Sequence, residues 1–214
     1  SKAPSYINSY NSLFNLDLKN FSSLEAQIAA ISDDVAYNAH DIDDGIRAGL
    51  FNLEQIREIK YIDKVARELE NQISRFVDKS RFMNQVIQLL VNKMISDVCE
   101  TTKNNVKKYR VKSDYDVRRA GVKLVTFSEE VLEFEKEIKS FLSSNMYKHY
   151  KVNRMSSKAK RIIKDLFSIY YNEPECLPTE WQRLAIDSYA RERSEIVSDF
   201  IAGMTDRFAM KEHE

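Results

Sequence analysis

The stretch FSSLEAQIAAISDDVAYNAHDIDDGIRAGLF, residues 21–51, decides the fold of this chain, because it predicts one long amphipathic helix. At about 100° per residue its apolar side chains fall on one stripe, which a helix buries against a core. The stripe consists of Leu24, Ile28, Ile31, Val35, Ala39, Ile42 and Ile46. Ser22 and Glu25 have the spacing of a capping box, and Gly49 stands where a left-handed glycine would end the helix.

The side of this helix nearly opposite the apolar stripe carries Asp33, Tyr37, Asp41 and Asp44 between small alanines. Exposed helix faces usually mix acidic and basic residues, because like charges four residues apart repel each other. An all-acidic face has two interpretations. It is an ordinary solvated surface, or it is the wall of a metal- and substrate-binding site in which a cation relieves the repulsion.

Several further helical periods, with few glycines and prolines, predict an all-α protein. The chain contains four glycines, and their spacing allows neither a P-loop nor a dinucleotide-binding loop. We predict a multi-helix bundle that forms a single all-helical unit over residues 1–214. Its parts are a leading segment at 1–20 that packs Tyr6, Tyr10 and Phe14 onto the helices, the helix at 21–51, and a helical region at 52–214.

Within the region 52–214 the apolar period predicts six main helices. They span residues 53–59, 61–77, 79–108, 128–149, 156–171 and 190–211. The helix at 61–77 includes Ile73 and Phe76 in its buried stripe, and the helix at 79–108 buries Cys99. Residues 113–120 predict a loop or a short helix capped by Ser113.

Composition excludes several classes of protein. Thirty-three basic and 33 acidic residues give a formal net charge of zero, so no global basic field favours nucleic acid as a partner. Cys99 and Cys176 have no partner spacing and are interpreted as reduced thiols, which predicts a cytoplasmic protein. No apolar run approaches the roughly 20 residues of a membrane span, and no signal peptide opens the sequence, so we expect no membrane partner.

A second candidate site is the basic and aromatic cluster at residues 147–154. One interpretation is structural: cations at the C-terminal end of the helix at 128–149 would interact favourably with its dipole, by about 0.3–1 kcal/mol. The other is functional: the cluster receives a negatively charged phosphate group, which Arg binds bidentately and Lys binds as a point charge. On the second interpretation the candidates are His149, Lys151 and Arg154.

Three separated blocks of this sequence, in order, resemble the dGTP triphosphohydrolase-like branch of the HD-domain hydrolases. They are SLEAQIAAISDDVAYNAHDIDDGIRAGLF at 23–51, YKHYKVNRM at 147–155 and VSDFIAGMTDRFAMKEHE at 197–214. The resemblance therefore covers nearly the whole chain. It implies hydrolysis of a deoxynucleoside triphosphate to a deoxynucleoside and inorganic tripolyphosphate.

The resemblance also implies roles for individual residues. Asp33 matches the aspartate that completes the metal shell after a His and a His-Asp pair. Tyr37 matches a tyrosine, and Asp41 an aspartate, that hold the deoxyribose of the substrate. His40 and Asp41 form an HD dipeptide, but they lie in the downstream block. Adjacent helical residues also point about 100° apart, so these two do not converge on one ion.

The chain departs from the family pattern at its start. Its three histidines are His40, His149 and His213, and none precedes Asp33. We therefore expect the C-terminal portion of an HD-domain hydrolase, lacking the upstream metal-binding helices. A divalent metal such as Mg²⁺ or Mn²⁺ belongs to the complete enzyme, and a lone carboxylate would not retain it. We expect this chain to hydrolyse nothing alone and to need the N-terminal HD portion; the family also implies a homo-oligomer.

Two other classes of function are compatible with the sequence. The first is a non-catalytic helical module that binds a partner chain, for which apolar stripes would remain partly exposed. The second is a protein that binds nucleotides or single-stranded nucleic acid through the cluster at 147–154, whose affinity would fall steeply with salt. The neutral net charge argues against the second.

Overall fold

A computed structural model of the protein describes residues 4–72, 78–186 and 190–214. Within these ranges the chain forms eleven α-helices and no strand, which confirms the prediction of an all-α fold. The helices are Ser5–Leu13 (α1), Leu24–Arg47 (α2), Leu53–Ile56 (α3), Lys60–Gln72 (α4), Lys79–Lys108 (α5), Asp114–Arg119 (α6), Glu129–Leu142 (α7), Tyr150–Asn172 (α8), Thr179–Ile186 (α9), Ala190–Ala202 (α10) and Asp206–His213 (α11). A π-helical turn, Ser143–Tyr147, follows α7, and a 3₁₀ turn, Pro174–Cys176, follows α8.

The contacts of the chain divide into two compact units, Ser1–Met146 (unit 1) and Tyr147–Glu214 (unit 2). Each unit is described below by itself. That the whole chain forms one domain stays a prediction. None of the described helices is both long and apolar enough to cross a membrane.

The organising helix α2 is shorter than residues 21–51 and has different caps from those predicted at its start. Ser23 is the N-cap, and its hydroxyl accepts a hydrogen bond from the Ala26 amide at 3.4 Å, so the predicted capping box of Ser22 and Glu25 is wrong. At the other end Gly49 has φ +62°, as predicted. The Gly49 amide donates to Ile46 O and the Leu50 amide to Gly45 O, which together form a Schellman motif.

The core of unit 1 lies between α2, α4, α5 and α7, which pack together. It includes Ile31, Val35, Ile42, Phe51, Ile62, Val65, Val86, Leu90, Met94, Phe134 and Ile138. The buried arc of α2 runs through Gln27 and Asn38. Ile28 is 46 % exposed, so its place in the predicted stripe is wrong. Residues 27 and 28 point about 100° apart, and the glutamine takes the inward position because the backbone of a neighbouring segment lies there.

Gln27 joins α2 to the segment at residues 124–125. Its Oε1 accepts hydrogen bonds from the backbone amides of Leu124 at 3.0 Å and Val125 at 3.2 Å, and its Nε2 donates to the carbonyl oxygen of Ser22 at 2.8 Å. Only 3 % of Gln27 is exposed. A buried backbone amide that loses its acceptor costs the full desolvation of the group. Gln27 therefore satisfies two donors that no water reaches.

Replacing Gln27 by methionine should lower the free energy of unfolding by about 2 kcal/mol, because the two amides lose their acceptor while the side-chain volume is nearly kept. Urea unfolding followed by circular dichroism measures the change. The matched control is Gln88→Met on α5, where the glutamine is exposed and the change should stay below about 0.5 kcal/mol. Equal losses for the two variants would contradict the assigned role of Gln27.

Unit 2 is a small bundle of α8, α9, α10 and α11. Its core consists of Ile162, Leu166, Tyr170, Leu177, Ala185 and Val197, against which Trp181 and Phe200 pack. The predicted start of α8 at residue 156 is wrong: the helix begins six residues earlier, at Tyr150. The predicted helix at 190–211 is interrupted at residues 203–205, where Thr205 caps α11 by accepting from the Phe208 amide at 3.2 Å.

Two further predictions about packing are wrong for the described residues, and the bounds of two predicted helices are compared after them. Tyr6, Tyr10 and Phe14 of the leading segment are 71, 58 and 64 % exposed, so they do not pack onto the helices. Cys99 is exposed, because it lies outside the buried stripe of α5. The helix predicted at 128–149 is α-helical from Glu129 to Leu142 and continues as the π-helical turn to Tyr147, two residues before the predicted end. Helix α5 is confirmed at both ends, whereas Ile73 and Phe76, predicted in the stripe at 61–77, lie outside the described residues.

Candidate functional site

The candidate site in unit 1 is the face of α2 that carries Asp33, Tyr37 and Asp41. Because the three residues are four apart in one continuous helix, each lies about 6 Å further along the axis and on the same side. Asp33 is exposed, Tyr37 is 63 % exposed and Asp41 is partly buried. The helix therefore presents a row of three oxygen-bearing side chains to the outside of unit 1.

The opposite side of α2 holds this row in place. Ile31, Val35 and Ile42 are buried in the core of unit 1, and both ends of the helix are capped. A helix with one face packed and both ends capped is a rigid support, and side chains on such elements are placed more precisely than side chains on loops. The packing of α2 against the core therefore fixes where the row lies.

Two of the carboxylates beside this row, Asp34 and Asp43, have cationic partners. The Asp34 carboxylate lies 3.8 Å from Lys139 Nζ on α7, and Asp43 pairs with Arg47 at 2.7 Å. A hydrogen bond from Lys139 to Glu135 raises the pKa of the lysine above its ordinary value, and the negative charge of Asp34 adds to this effect. Asp33, by contrast, forms no ion pair within the described part of the chain. Its carboxylate is available to a ligand.

The residues of this face fit a shared metal site rather than a complete one. Within residues 4–72, 78–186 and 190–214, no group of three or more His, Cys, Asp and Glu side chains is assembled to hold a metal ion. A hard divalent cation takes six or more oxygen ligands, and the exposed carboxylate of Asp33 is suited to be one of them. The roles predicted for Asp33, Tyr37 and Asp41 stay predictions.

A groove of about 560 Å³ lies beside the row, between α2 and α5. It is lined by Ala36, Ala39, His40 and Asp43 of α2 and by Asn84, Ile87, Gln88, Val91 and Asn92 of α5. None of Asp33, Tyr37 and Asp41 lines it, whereas His40, which points about 100° away from Asp41 on the helix, does. His40 and Asp41 thus face different surroundings, as expected for adjacent residues of one helix.

The basic cluster at residues 147–154 belongs to unit 2 and begins a helix instead of ending one. His149 is the N-cap of α8, and its Nδ1 accepts a hydrogen bond from the Lys151 amide at 3.3 Å. The Arg154 guanidinium lies 5.3 Å from the centre of the Tyr150 ring. The cluster follows the π-helical turn that ends at Tyr147, but its Lys151 and Arg154 lie in the first turns of α8, at the positive end of that helix's dipole, where cations are unfavourable. Its location instead favours an anion.

Two amide side chains that were not among the predicted site residues lie inside the buried arc of α2. Gln27 binds the segment at residues 124–125, and the Nδ2 of Asn38 is buried without a hydrogen-bond partner among the described residues. On the helical wheel residues 27 and 38 lie about 40° and about 20° beyond one edge of the predicted apolar stripe, so periodicity by itself does not identify them as buried. Polar residues at core positions indicate a specific contact.

Comparison with known proteins relates the sequence of the chain to phosphohydrolases. The family model of the phosphohydrolase-associated domain matches residues 125–214. A deoxyguanosinetriphosphate triphosphohydrolase-like protein of Parvibaculum lavamentivorans is 39 % identical over 98 % of this chain and 53 % of its own length. The corresponding proteins of Mesorhizobium japonicum and Neorickettsia sennetsu are 37 and 36 % identical, over 98 and 97 % of this chain and 52 and 54 % of their own lengths.

The all-helical chain is therefore similar to phosphohydrolase-related proteins, through the domain matched at residues 125–214 and through its homologues. In particular, the chain is homologous along almost all of its length to the deoxyguanosinetriphosphate triphosphohydrolase-like proteins, which confirms the resemblance seen in its sequence. It spans about half the length of these curated relatives.

Proposed function

We propose that this chain is the part of a deoxynucleoside triphosphate triphosphohydrolase that supplies one metal ligand and the sugar-binding residues. The observation that carries the proposal is the row of Asp33, Tyr37 and Asp41 on the outward face of a rigid, capped helix. The names of its homologues support the substrate class. In the proposed reaction water attacks the α-phosphorus, the bond from phosphorus to the sugar O5′ breaks, and O5′ leaves with a proton as the deoxynucleoside.

Asp33 is the proposed metal ligand. A divalent cation, when bound, polarises the α-phosphate and lowers the pKa of its bound water. Asp33 suits this role because its carboxylate is exposed and remains unpaired within the described residues, while the neighbouring Asp34 and Asp43 are engaged by Lys139 and Arg47. Further ligands would come from the portion of the family protein that this chain does not span, which makes the N-terminal HD portion its proposed partner.

Tyr37 and Asp41 are the proposed sugar-binding residues. An aspartate accepts hydrogen bonds from a hydroxyl group, and a tyrosine ring packs against a sugar while its hydroxyl can donate or accept. One helical turn separates Asp33 from Tyr37 and another separates Tyr37 from Asp41. A substrate lying along α2 would therefore place its α-phosphate near the first residue and its deoxyribose near the other two.

His149, Lys151 and Arg154 are proposed to bind the triphosphate. Their place at the start of α8 combines backbone amides, the positive end of the helix dipole and two fixed charges, all of which favour phosphate oxygens. A cytoplasmic location and a homo-oligomeric state also belong to this proposal. The location is inferred from the two free cysteines and the oligomeric state from the family resemblance.

The test uses a chain extended to the full length of the curated relatives, with residues 1–214 unchanged. Incubated with dGTP and Mn²⁺ or Mg²⁺, it should release deoxyguanosine and tripolyphosphate in equal amounts, as measured by ion-exchange and reverse-phase chromatography. GTP is the matched control substrate, because Tyr37 and Asp41 are proposed to bind a deoxyribose. Release of pyrophosphate and a nucleoside monophosphate, or no turnover of any deoxynucleotide by the folded chain, would overturn the proposal.

A further inference from the structure

Unit 2 contains an open apolar groove between α8, α10 and α11 that the proposed hydrolysis does not use. Its volume is about 590 Å³. The walls include Met155, Ile162 and Ile163 of α8, Ile201 of α10, and Ala209 and Met210 of α11. Met155, Ile163 and Met210 are all exposed, Met155 by 67 %. Flexible, polarisable methionine side chains are common on surfaces that adapt to a helical ligand.

One edge of this groove is strongly basic. Lys151, Arg154, Lys158 and Arg161 recur every three or four residues along α8 and so lie on one side of the helix, over about 15 Å. We call these four residues the cation stripe; Lys151 and Arg154 are also the residues proposed to bind the triphosphate, so the part of the stripe that belongs to the groove alone is Lys158 and Arg161. All four are exposed, and none forms an ion pair within the described part of unit 2. Lys158 belongs to the stripe and also lines the groove.

The remaining charges near the groove are few. Asp206 lines the opposite wall, at the first position of α11. Asp165 continues the line of the cation stripe by one turn, and His213 lies 2.9 Å from its carboxylate. The groove therefore has an apolar floor, a basic edge on α8 and a single carboxylate on the side of α11.

We infer that this groove is a docking site for an amphipathic helix of a partner protein, with an apolar face and acidic residues along the edge that meets α8. The inference rests on two features: the cations of α8 are complementary to acidic residues on the partner helix, and both sets recur at the same interval. The cation stripe repeats at the helical period, so a helix lying along α8 presents the residues of one of its own edges at the same interval. An extended polyanion would match the charges but would leave the apolar floor exposed.

Selection from a library of helical peptides tests this inference on the chain of 214 residues. Peptides of about 18 residues, long enough to form a helix in water, carry fixed leucines on one face and Glu, Gln or Lys at random along each edge. Glutamate should be enriched along one edge only. By fluorescence anisotropy, the selected peptide should bind at least roughly tenfold more tightly than its counterpart with lysine at those positions.

Variants locate the bound peptide. Met155→Asp places a charge on the apolar floor and should weaken binding at least roughly tenfold; because Met155 is largely exposed, the variant should still fold, as circular dichroism would show. The double variant Lys158→Glu and Arg161→Glu should reverse the preference between glutamate and lysine. The double variant Lys103→Glu and Lys107→Glu, with exposed cations of α5, is the matched control and should leave binding unchanged.

Four results with the chain of 214 residues would overturn the inference. They are enrichment of no peptide, binding that is indifferent to edge charge, competition by an oligothymidylate that Met155→Asp leaves unaltered, and a dimer of the chain that Met155→Asp dissociates. The third result would assign the cation stripe to a polyanion, and the fourth would assign the groove to a second copy. Loss of peptide binding in the chain extended to family length would assign the groove to the added portion.

Discussion

Replacing Asp33 by asparagine in the chain extended to family length should lower kcat for dGTP by more than about 100-fold, the upper end of the loss seen when a residue outside the metal shell is removed. The amide is a neutral and weaker ligand for a hard cation, so the metal content of the purified protein should fall together with the activity. Metal analysis by mass spectrometry and tripolyphosphate release measure the two losses.

The substitution Asp33→Asn should lower metal content and activity without changing the stability of the fold. Asp33 is exposed and unpaired among the described residues, so in the chain of 214 residues Asp33→Asn should change the free energy of unfolding by less than about 0.5 kcal/mol. Glu25→Gln, which removes an exposed carboxylate from the first turn of the same helix, is the control and should keep both metal and activity. Full turnover and full metal content in Asp33→Asn would remove Asp33 from the proposed metal shell.

Replacing Gly45 by alanine should lower the free energy of unfolding by about 3 kcal/mol, at the upper end of what overpacking costs in a core. A Cβ atom on Gly45 would overlap the Cε1 and Cζ atoms of Phe51, which is 4 % exposed and packs edge-on against Phe141 at 5.0 Å between ring centres. The gain of about 1 kcal/mol that alanine normally brings to a helix interior is smaller than this steric cost. Denaturant unfolding measures the difference.

The other glycines supply controls for this prediction. Gly49 has φ +62° and open space around its Cβ position, so Gly49→Ala should cost about 1 kcal/mol through backbone strain alone. Gly203 has only ordinary contacts at 3.5 Å, so Gly203→Ala should change stability by less than about 0.5 kcal/mol. A Gly45→Ala variant as stable as the original chain would show that Phe51 has room to move, contrary to the close packing of its ring.

The sequence predicts more of unit 1 than of unit 2. The period of α5 and the left-handed Gly49 are both local properties, and both are confirmed. Local reasoning is wrong where two neighbours compete for one role: Ser23 rather than Ser22 caps α2, and Gln27 rather than Ile28 points inward. In each pair the choice depends on the backbone that packs against the helix, which a helical wheel does not contain.

The same distinction applies to the candidate sites. The row of Asp33, Tyr37 and Asp41 follows from the spacing of one helix and from the family resemblance, so the sequence is sufficient to predict it. The location of the basic cluster could not be predicted in this way, because it depends on where α7 stops and α8 starts. Nor could the groove of unit 2, since its walls combine α8 with two later helices, α10 and α11, which are separated by the break at residues 203–205.

The amino-acid sequence by itself determined the all-helical class, the outward row on α2 and the family relationship, because periodicity, residue spacing and sequence similarity are properties of the chain alone. Only the tertiary structure decided which polar residues are buried, which acidic residues are paired and where an apolar surface stays open. Those outcomes depend on which distant segments come into contact, and burial and ion pairing exist only once those contacts have formed.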